Sequence, residues 1–358
     1  MRRARAERLV ELLDEADLDV ALIGELVNVR YLTGYTGTNG LALIGAQTRT
    51  FITDFRYLTQ AAEEVHPTFQ RIRAPLDLLD AVPDALPGRG LRLGFEEEHM
   101  SVARHRRLLE LLGDRAELVA VKGLVERLRA VKEPEEIELI KAATTLADAA
   151  FERLLRDGLI GRTEREVAIA LEHDMRERGA ERPSFETIVA AGAHGALPHA
   201  RPRDVPIRQG ELVVIDWGAQ CGGYCSDCTR TVAAGEPGEE SRALYELVLQ
   251  AQQSGLEAVR AGSSGRETDA AARAVIEAGG QGNHFGHGLG HGVGIDIHEG
   301  PRLSQRSEDT LSASNVVTVE PGVYLPERFG IRIEDLVVVT EEGCEILTSV
   351  PKRLLVIE

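Results

Sequence analysis

Basic residues are in short supply: 41 Lys and Arg face 58 Asp and Glu over 358 residues, a formal charge of -17. A field of that sign repels phosphate backbones and anionic headgroups, so nucleic acid and membrane surfaces are excluded as expected partners. Long apolar runs are missing as well. No stretch approaches the roughly 18 residues of a membrane-spanning helix. The opening MRRARAERLVELLDEADLDV meets Glu7, Glu11, Asp14 and Glu15 where a secretory signal would place an apolar core. Together these absences predict a cytoplasmic protein. Cysteine is scarce, and of Cys221, Cys225, Cys228 and Cys344 three fall in CGGYCSDCTR. A structural zinc site wants four ligands in short-spaced pairs, whereas these three lie along one apparent strand whose alternation sends neighbours to opposite faces. Reduced thiols are the expectation, not zinc or disulfides. There is no phosphate-binding glycine fingerprint, no repeat of solenoid period and no low-complexity tail.

What is present reads as α/β (α+β) in two domains, since 358 residues exceed the usual size of one hydrophobic core. The first third alternates strand and helix patterns. Leu9, Leu12 and Leu13 share a helical face within 7–17, DVALIG reads as a buried strand, and LALIG and TFIT form a hairpin through AQTR. Helices are predicted near 56–65 and 101–113, with strands at TFQRIRA and LRLGF. KEPEEIELIKAA places Pro134 beside acids at a helix start, which sets the expected domains at 1–124 and 125–358. TEREVAIALEHDMRERG opens on a capping box of Thr163 and Glu166 and closes near Gly179. Strands follow at TIVAAG and ELVVIDWGAQ, helices around 239–260 and 266–279, and strands again at NVVTVEPGVYL, GIRIEDLVVVT and CEILTSV.

The chemistry sits in the second domain, where acids interrupt apolar strands: Asp216 in LVVID, Asp227 after a Gly-Gly turn, Glu320 in VVTVEPG and Glu334 in GIRIEDLVVV. A buried carboxylate is costly unless paired or bound to a metal, so four of them call for a common cationic partner. HFGHGLGHGVGIDIHEGP, residues 284–301, has a composition that suits no ordinary helix or strand. Its His287, His291 and His298 lie among glycines that let the backbone approach a site closely. Four carboxylates and one imidazole are too anionic for a single ion and suit two divalent ions, Mn2+ first, with Co2+, Zn2+ or Fe2+ as alternatives. Such a pair predicts hydrolysis. Asp296, in GIDIHEGP, is expected to be structural or exposed and not a further ligand.

VVIDWGAQCGGYCSDCTRT, GHGLGHGVGIDIHEGP, TVEPGVY and GIRIEDLVVVTEEG resemble the metallopeptidase family that contains Xaa-Pro aminopeptidase, Xaa-Pro dipeptidase (prolidase) and methionine aminopeptidase, across residues 130–358. The resemblance implies a pita-bread catalytic domain preceded by a creatinase/prolidase-type N-terminal α/β domain. It implies that Asp216 chelates one metal, that Asp227 and Glu334 bridge two, and that His291 and Glu320 hold the second. Glu320 would also shuttle the proton. His287 and His298, and His199 in AGAHGALPHA, would contact substrate and stabilise the tetrahedral intermediate, with Tyr324 and Arg332 in support.

The implied activity is removal of the first residue from peptides with proline in second position, by hydroxide attack at a dinuclear metal centre. An Xaa-Pro bond is a tertiary amide with an obstructing ring, so a dedicated site must admit the ring and protonate a hindered nitrogen. NVRYLTGYTGTNGLALI and ITDFRYLTQA resemble short bacterial aminopeptidase P sequences and favour an aminopeptidase. The alternatives are an Xaa-Pro dipeptidase and, below it, a non-catalytic peptide-binding relative. A homodimer is expected.

Overall fold

The computed structural model describes residues 2–358, which divide into one compact unit ending at Arg129 and another beginning at Ala130. The division falls at the C-terminal end of the helix Leu124–Ala130.

The first unit is built on a six-stranded mixed sheet in the order Gln70–Arg73, Thr48–Thr53, Leu41–Gly45, Val20–Ile23, Leu91–Glu96, Ala116–Val121. Its middle strands, VALI and LALIG, are buried throughout, which is why they read as unbroken apolar runs and not as an alternation. The expected hairpin is there, with Gly45 opposite Thr48. The helices Arg2–Glu15, Leu58–Glu64 and Val102–Leu112 match the predicted helical stretches, the last capped by Ser101 Oγ. Elements that went unpredicted include the helix Leu26–Thr33, whose LVNVRYLT lacks helical spacing of polar residues, the short helices Val82–Ala85 and Leu124–Ala130, and the strand Ala116–Val121.

The second unit repeats one plan. A helix pair, Pro134–Asp157 and Glu164–Glu177, packs on the antiparallel strands Ile188–Ala191, Leu212–Trp217 and Cys228–Ala234. A second pair, Glu239–Ala258 and Gly265–Ala278, packs on a sheet containing Gly290–Gly292, Val316–Val319 and Asp335–Val339. Each half has its own apolar core, the first anchored by Phe151 stacked on Trp217 at 4.2 Å between ring centroids. Helix starts follow the sequence closely. Thr163 and Glu166 form the predicted capping box, Ser264 and Glu267 form another, and Gly179 takes φ 109° just beyond the C-cap.

Two expectations need correction. Cys221, Cys225 and Cys228 do not share a strand, because Gly222 and Gly223, at φ 58° and 86°, turn the chain between Ala219–Cys221 and Tyr224–Cys225, and Cys228 opens a third strand. Cys225 Sγ approaches the Ile295 carbonyl at 3.7 Å. All four cysteines are free thiols. Second, the glycine-rich histidine segment does contain a strand, Gly290–Gly292. A Cβ on Gly290 would lie 2.0 Å from the Thr318 carbonyl oxygen, and one on Gly292 2.1 Å from that of Gly300. The glycines are what allow neighbouring backbones so near. Among the described residues, no helix is long and apolar enough to cross a membrane.

Candidate metal centre and substrate cavity

The repeated plan delivers the acids in pairs. Asp216 lies in the strand Leu212–Trp217 and Asp227 directly precedes Cys228–Ala234, while Glu320 directly follows Val316–Val319 and Glu334 directly precedes Asp335–Val339. All four face a cavity of about 590 Å³. One oxygen from each of Asp216, Asp227 and Glu334 falls within 4.8 Å of the others. His291 Nε2 lies 3.6 Å from Asp227 Oδ2 and 3.4 Å from Glu320 Oε1.

Charge is badly out of balance here. Burial pushes the Asp227 carboxyl far above the usual carboxylate range, and the neighbouring charges of Glu334, Asp216 and Glu320 push it further. Glu334 is raised in the same way by burial, then Glu320 and Asp216. Burial lifts Glu320 to about 7, and it lifts Asp216 despite Arg332 beside it. Asp216 Oδ1 is buried with no hydrogen-bond partner. Carboxylates crowded in this way need cations to stay ionised. The oxygen-rich set with one imidazole fits divalent metal ions.

Neighbouring side chains fix the donors. His291 Nδ1 donates to the Gly292 carbonyl at 3.0 Å, a contact that assigns the tautomer and leaves the Nε2 lone pair towards the acids. Thr318 Oγ1 accepts from the His291 amide at 3.1 Å and donates to Glu320 Oε1 at 3.1 Å, so one hydroxyl sets two donors. Thr229 Oγ1 likewise donates to Glu334 Oε2 at 2.6 Å and accepts from Arg332 Nε at 2.9 Å. Arg332 reaches four groups in all, adding Asp216 Oδ2 at 2.6 Å, Tyr324 Oη at 2.8 Å and the Pro198 carbonyl at 3.2 Å. Tyr324 Oη in turn donates to His287 Nε2 at 3.0 Å, and His287 Nδ1 donates to the Gly288 carbonyl at 2.8 Å. Burial pushes His287 down to about 4 and His291 to about 3, so both imidazoles are neutral near pH 7.

The model of the Metallopeptidase family M24 matches residues 138–341, and that of the Creatinase/Prolidase N-terminal domain matches residues 5–131. The chain belongs to metallopeptidase family M24. It is 40% identical to an Xaa-Pro dipeptidase from Bacillus anthracis, with a TM-score of 0.95 over 100% of both chains. An X-Pro aminopeptidase from Thermotoga maritima MSB8 is 39% identical with a TM-score of 0.89, over 99% of this chain and 100% of that one. The Xaa-Pro dipeptidase of Pyrococcus furiosus is 38% identical, over 99% of this chain and 100% of the relative. The fold is thus a creatinase/prolidase N-terminal domain ahead of a pita-bread catalytic domain, and the M24 family implies a dinuclear metal centre.

In this M24 chain Asp216, Asp227, His291, Glu320 and Glu334 all line one cavity, as do His199, His287, His298 and Arg332. Tyr324 is set behind that wall, bonded to His287 and Arg332. His298 stacks edge-on against His291 at 4.5 Å between centroids. Asp296 is exposed and stays outside the cavity. The sequence reading passed over Thr229, Thr318 and Arg302. The first two were within reach: each is a threonine two residues from an acid already singled out, Thr229 from Asp227 and Thr318 from Glu320. Arg302 lines the cavity with no ion-pair partner among the described residues, and nothing in the local sequence singled it out.

Proposed function

We propose that this chain is an Xaa-Pro dipeptidase. The observation that carries the reading is a single cavity with four crowded carboxylates on its floor, only Asp216 of them paired with an arginine, and the exposed guanidinium of Arg302, without an ion-pair partner among the described residues, on its wall. A dipeptide is the peptide whose free carboxylate ends within such a cavity, where Arg302 can pair with it. Full-length likeness to proteins named Xaa-Pro dipeptidase supports the same choice over the aminopeptidase favoured by the N-terminal motifs.

Asp216, Asp227, His291, Glu320 and Glu334 would hold two divalent ions, Mn2+ by the hardness of the donor set, with Co2+, Zn2+ or Fe2+ as alternatives. Bound there, the ions lower the pKa of water and polarise the scissile carbonyl. Glu320 takes a proton from the attacking water and returns it to the proline nitrogen as the C–N bond breaks. His199 and His298, both exposed to the cavity, offer N–H groups to the oxyanion that forms on the carbonyl oxygen. His287 commits both ring nitrogens to the protein, so its part is to hold Tyr324 and, through it, Arg332.

An aminopeptidase is the second reading, favoured by NVRYLTGYTGTNG and by likeness to the Thermotoga maritima aminopeptidase. Manganese-loaded protein offered equimolar Ala-Pro, Ala-Pro-Ala and Ala-Ala-Ala, with a chelated control, separates the two. Loss of Ala-Pro alone fits the dipeptidase. Faster loss of Ala-Pro-Ala fits the aminopeptidase, and cleavage of Ala-Ala-Ala removes proline specificity altogether.

A further inference from the structure

We propose that two clamps built on buried carboxylates, Glu164 with the half-exposed Arg203 and Asp269 with Arg273, are positioning residues that hold the His199 and His287 segments of the cavity, an inference that rests on the peptidase reading above. Neither clamp lines the cavity. Each carboxylate sits on the second helix of its helix pair and is wholly buried.

Glu164 is the first residue of its helix, a position where an acid ordinarily faces water and the helix dipole alone. Here it turns inward and closes a loop from both ends. Its carboxylate accepts from the Ala191 amide at 3.0 Å and from the Arg203 amide at 2.9 Å. Arg203 adds Nε at 3.1 Å and Nη2 at 3.0 Å, and His194 Nδ1 approaches at 2.9 Å. Between those ends lie Pro198, whose carbonyl accepts from Arg332, and His199. Asp269 does the matching work in the other half. It accepts from the Leu289 amide at 3.0 Å and from Arg273 Nε and Nη2 at 2.8 and 2.9 Å. Arg273 passes the constraint on, donating to the Phe285 and His287 carbonyls at 2.9 and 2.8 Å. Neither a half-exposed ion pair, as at Arg203, nor a buried one, as at Arg273, adds much net stability, so two of them converging on the backbones that carry cavity histidines are better explained by directional fixing.

The test is a crossed set of double-mutant cycles on Ala-Pro hydrolysis with the full-length, manganese-loaded protein. Glu164→Gln and Asp269→Asn should each lower kcat/KM about tenfold to a hundredfold, the usual cost of losing a supporting partner. In a His199→Ala background Glu164→Gln should add nothing beyond about twofold, and it should couple much less to His287→Ala, which it reaches only through Pro198, Arg332 and Tyr324. Asp269→Asn should show the reverse pattern. General loss of stability would couple to neither histidine or to both alike, and either pattern overturns the proposal. Amide hydrogen exchange supplies a second readout that needs no activity: protection should fall over 191–203 in Glu164→Gln and over 285–289 in Asp269→Asn, and unchanged protection in those segments contradicts the clamps. Should a carboxylate variant fail to fold, Arg203→Ala and Arg273→Lys probe the same two clamps. If the wild type cleaves no Xaa-Pro peptide, the peptidase reading fails while the exchange result still decides the clamps.

Discussion

Arg332 Nη2 lies 2.6 Å from Asp216 Oδ2, while Oδ1 of the same carboxylate is buried without a partner. One oxygen is held by the protein and the other is left for a ligand. Arg332 is thereby the organiser of the cavity floor: it aligns Asp216 directly, Glu334 through Thr229, and His287 through Tyr324.

Arg332→Lys should therefore fail to rescue function, because an ammonium cannot reproduce a planar fork reaching four acceptors. We expect kcat for Ala-Pro to fall about tenfold to a hundredfold. Steady-state kinetics check this, and a kcat within twofold of wild type would contradict the assigned role.

His298→Ala separates binding from chemistry. The ring stacks on His291 but is not needed to hold an ion, so metal content should stay at the wild-type value while kcat drops about a hundredfold, as for removal of one oxyanion donor. Metal analysis and kinetics on one preparation decide it. Loss of metal would move His298 into the donor set.

Glu164 should write itself into the acid limb of the stability curve. Burial raises its pKa, but the bonds from Arg203, Ala191 and His194 together outweigh that and hold it below the usual carboxylate value. A carboxyl depressed in the folded state gives stability that is present above the unfolded pKa of about 4.3 and lost as pH falls towards the folded value. Urea midpoints between neutral pH and pH 3 should thus fall more steeply for wild type than for Glu164→Gln. Parallel curves would contradict the shift.

Phe151→Ala tests the first core. Phe151 is buried and stacked on Trp217, the sole tryptophan, which follows Asp216 in its strand. Emptying that site should cost about 3–5 kcal/mol. Denaturation followed by Trp217 fluorescence measures it, and a cost under about 1 kcal/mol would mean that the core collapses around the gap.

Much of this site was legible in the sequence because its signals are local. Acids interrupting apolar strands can be seen at Asp216, Asp227, Glu320 and Glu334, and the structure brings all four to one cavity. Helix starts at Thr163 and Ser264 obey short-range capping chemistry and were read or readable from four residues. What escaped depends on contacts far apart in the chain. Gly290–Gly292 is a strand because the Thr318 and Gly300 backbones press on it, and no propensity of its own reports that. Glu164 resembles any acid in a first helical turn until Arg203, 39 residues on, folds back on it. Arg302 takes its place on the cavity wall only in the folded chain, and no local pattern reports that.

The central claim is that the buried acids and His291 form a two-ion centre, and metal content measures it most directly. Wild-type protein loaded with manganese and passed through a desalting column should retain about two ions per chain by elemental mass spectrometry, and Asp227→Ala and Glu334→Ala close to none, with hydrolysis of Ala-Pro lost in parallel. Full occupancy and activity in both variants would contradict the assignment of these carboxylates.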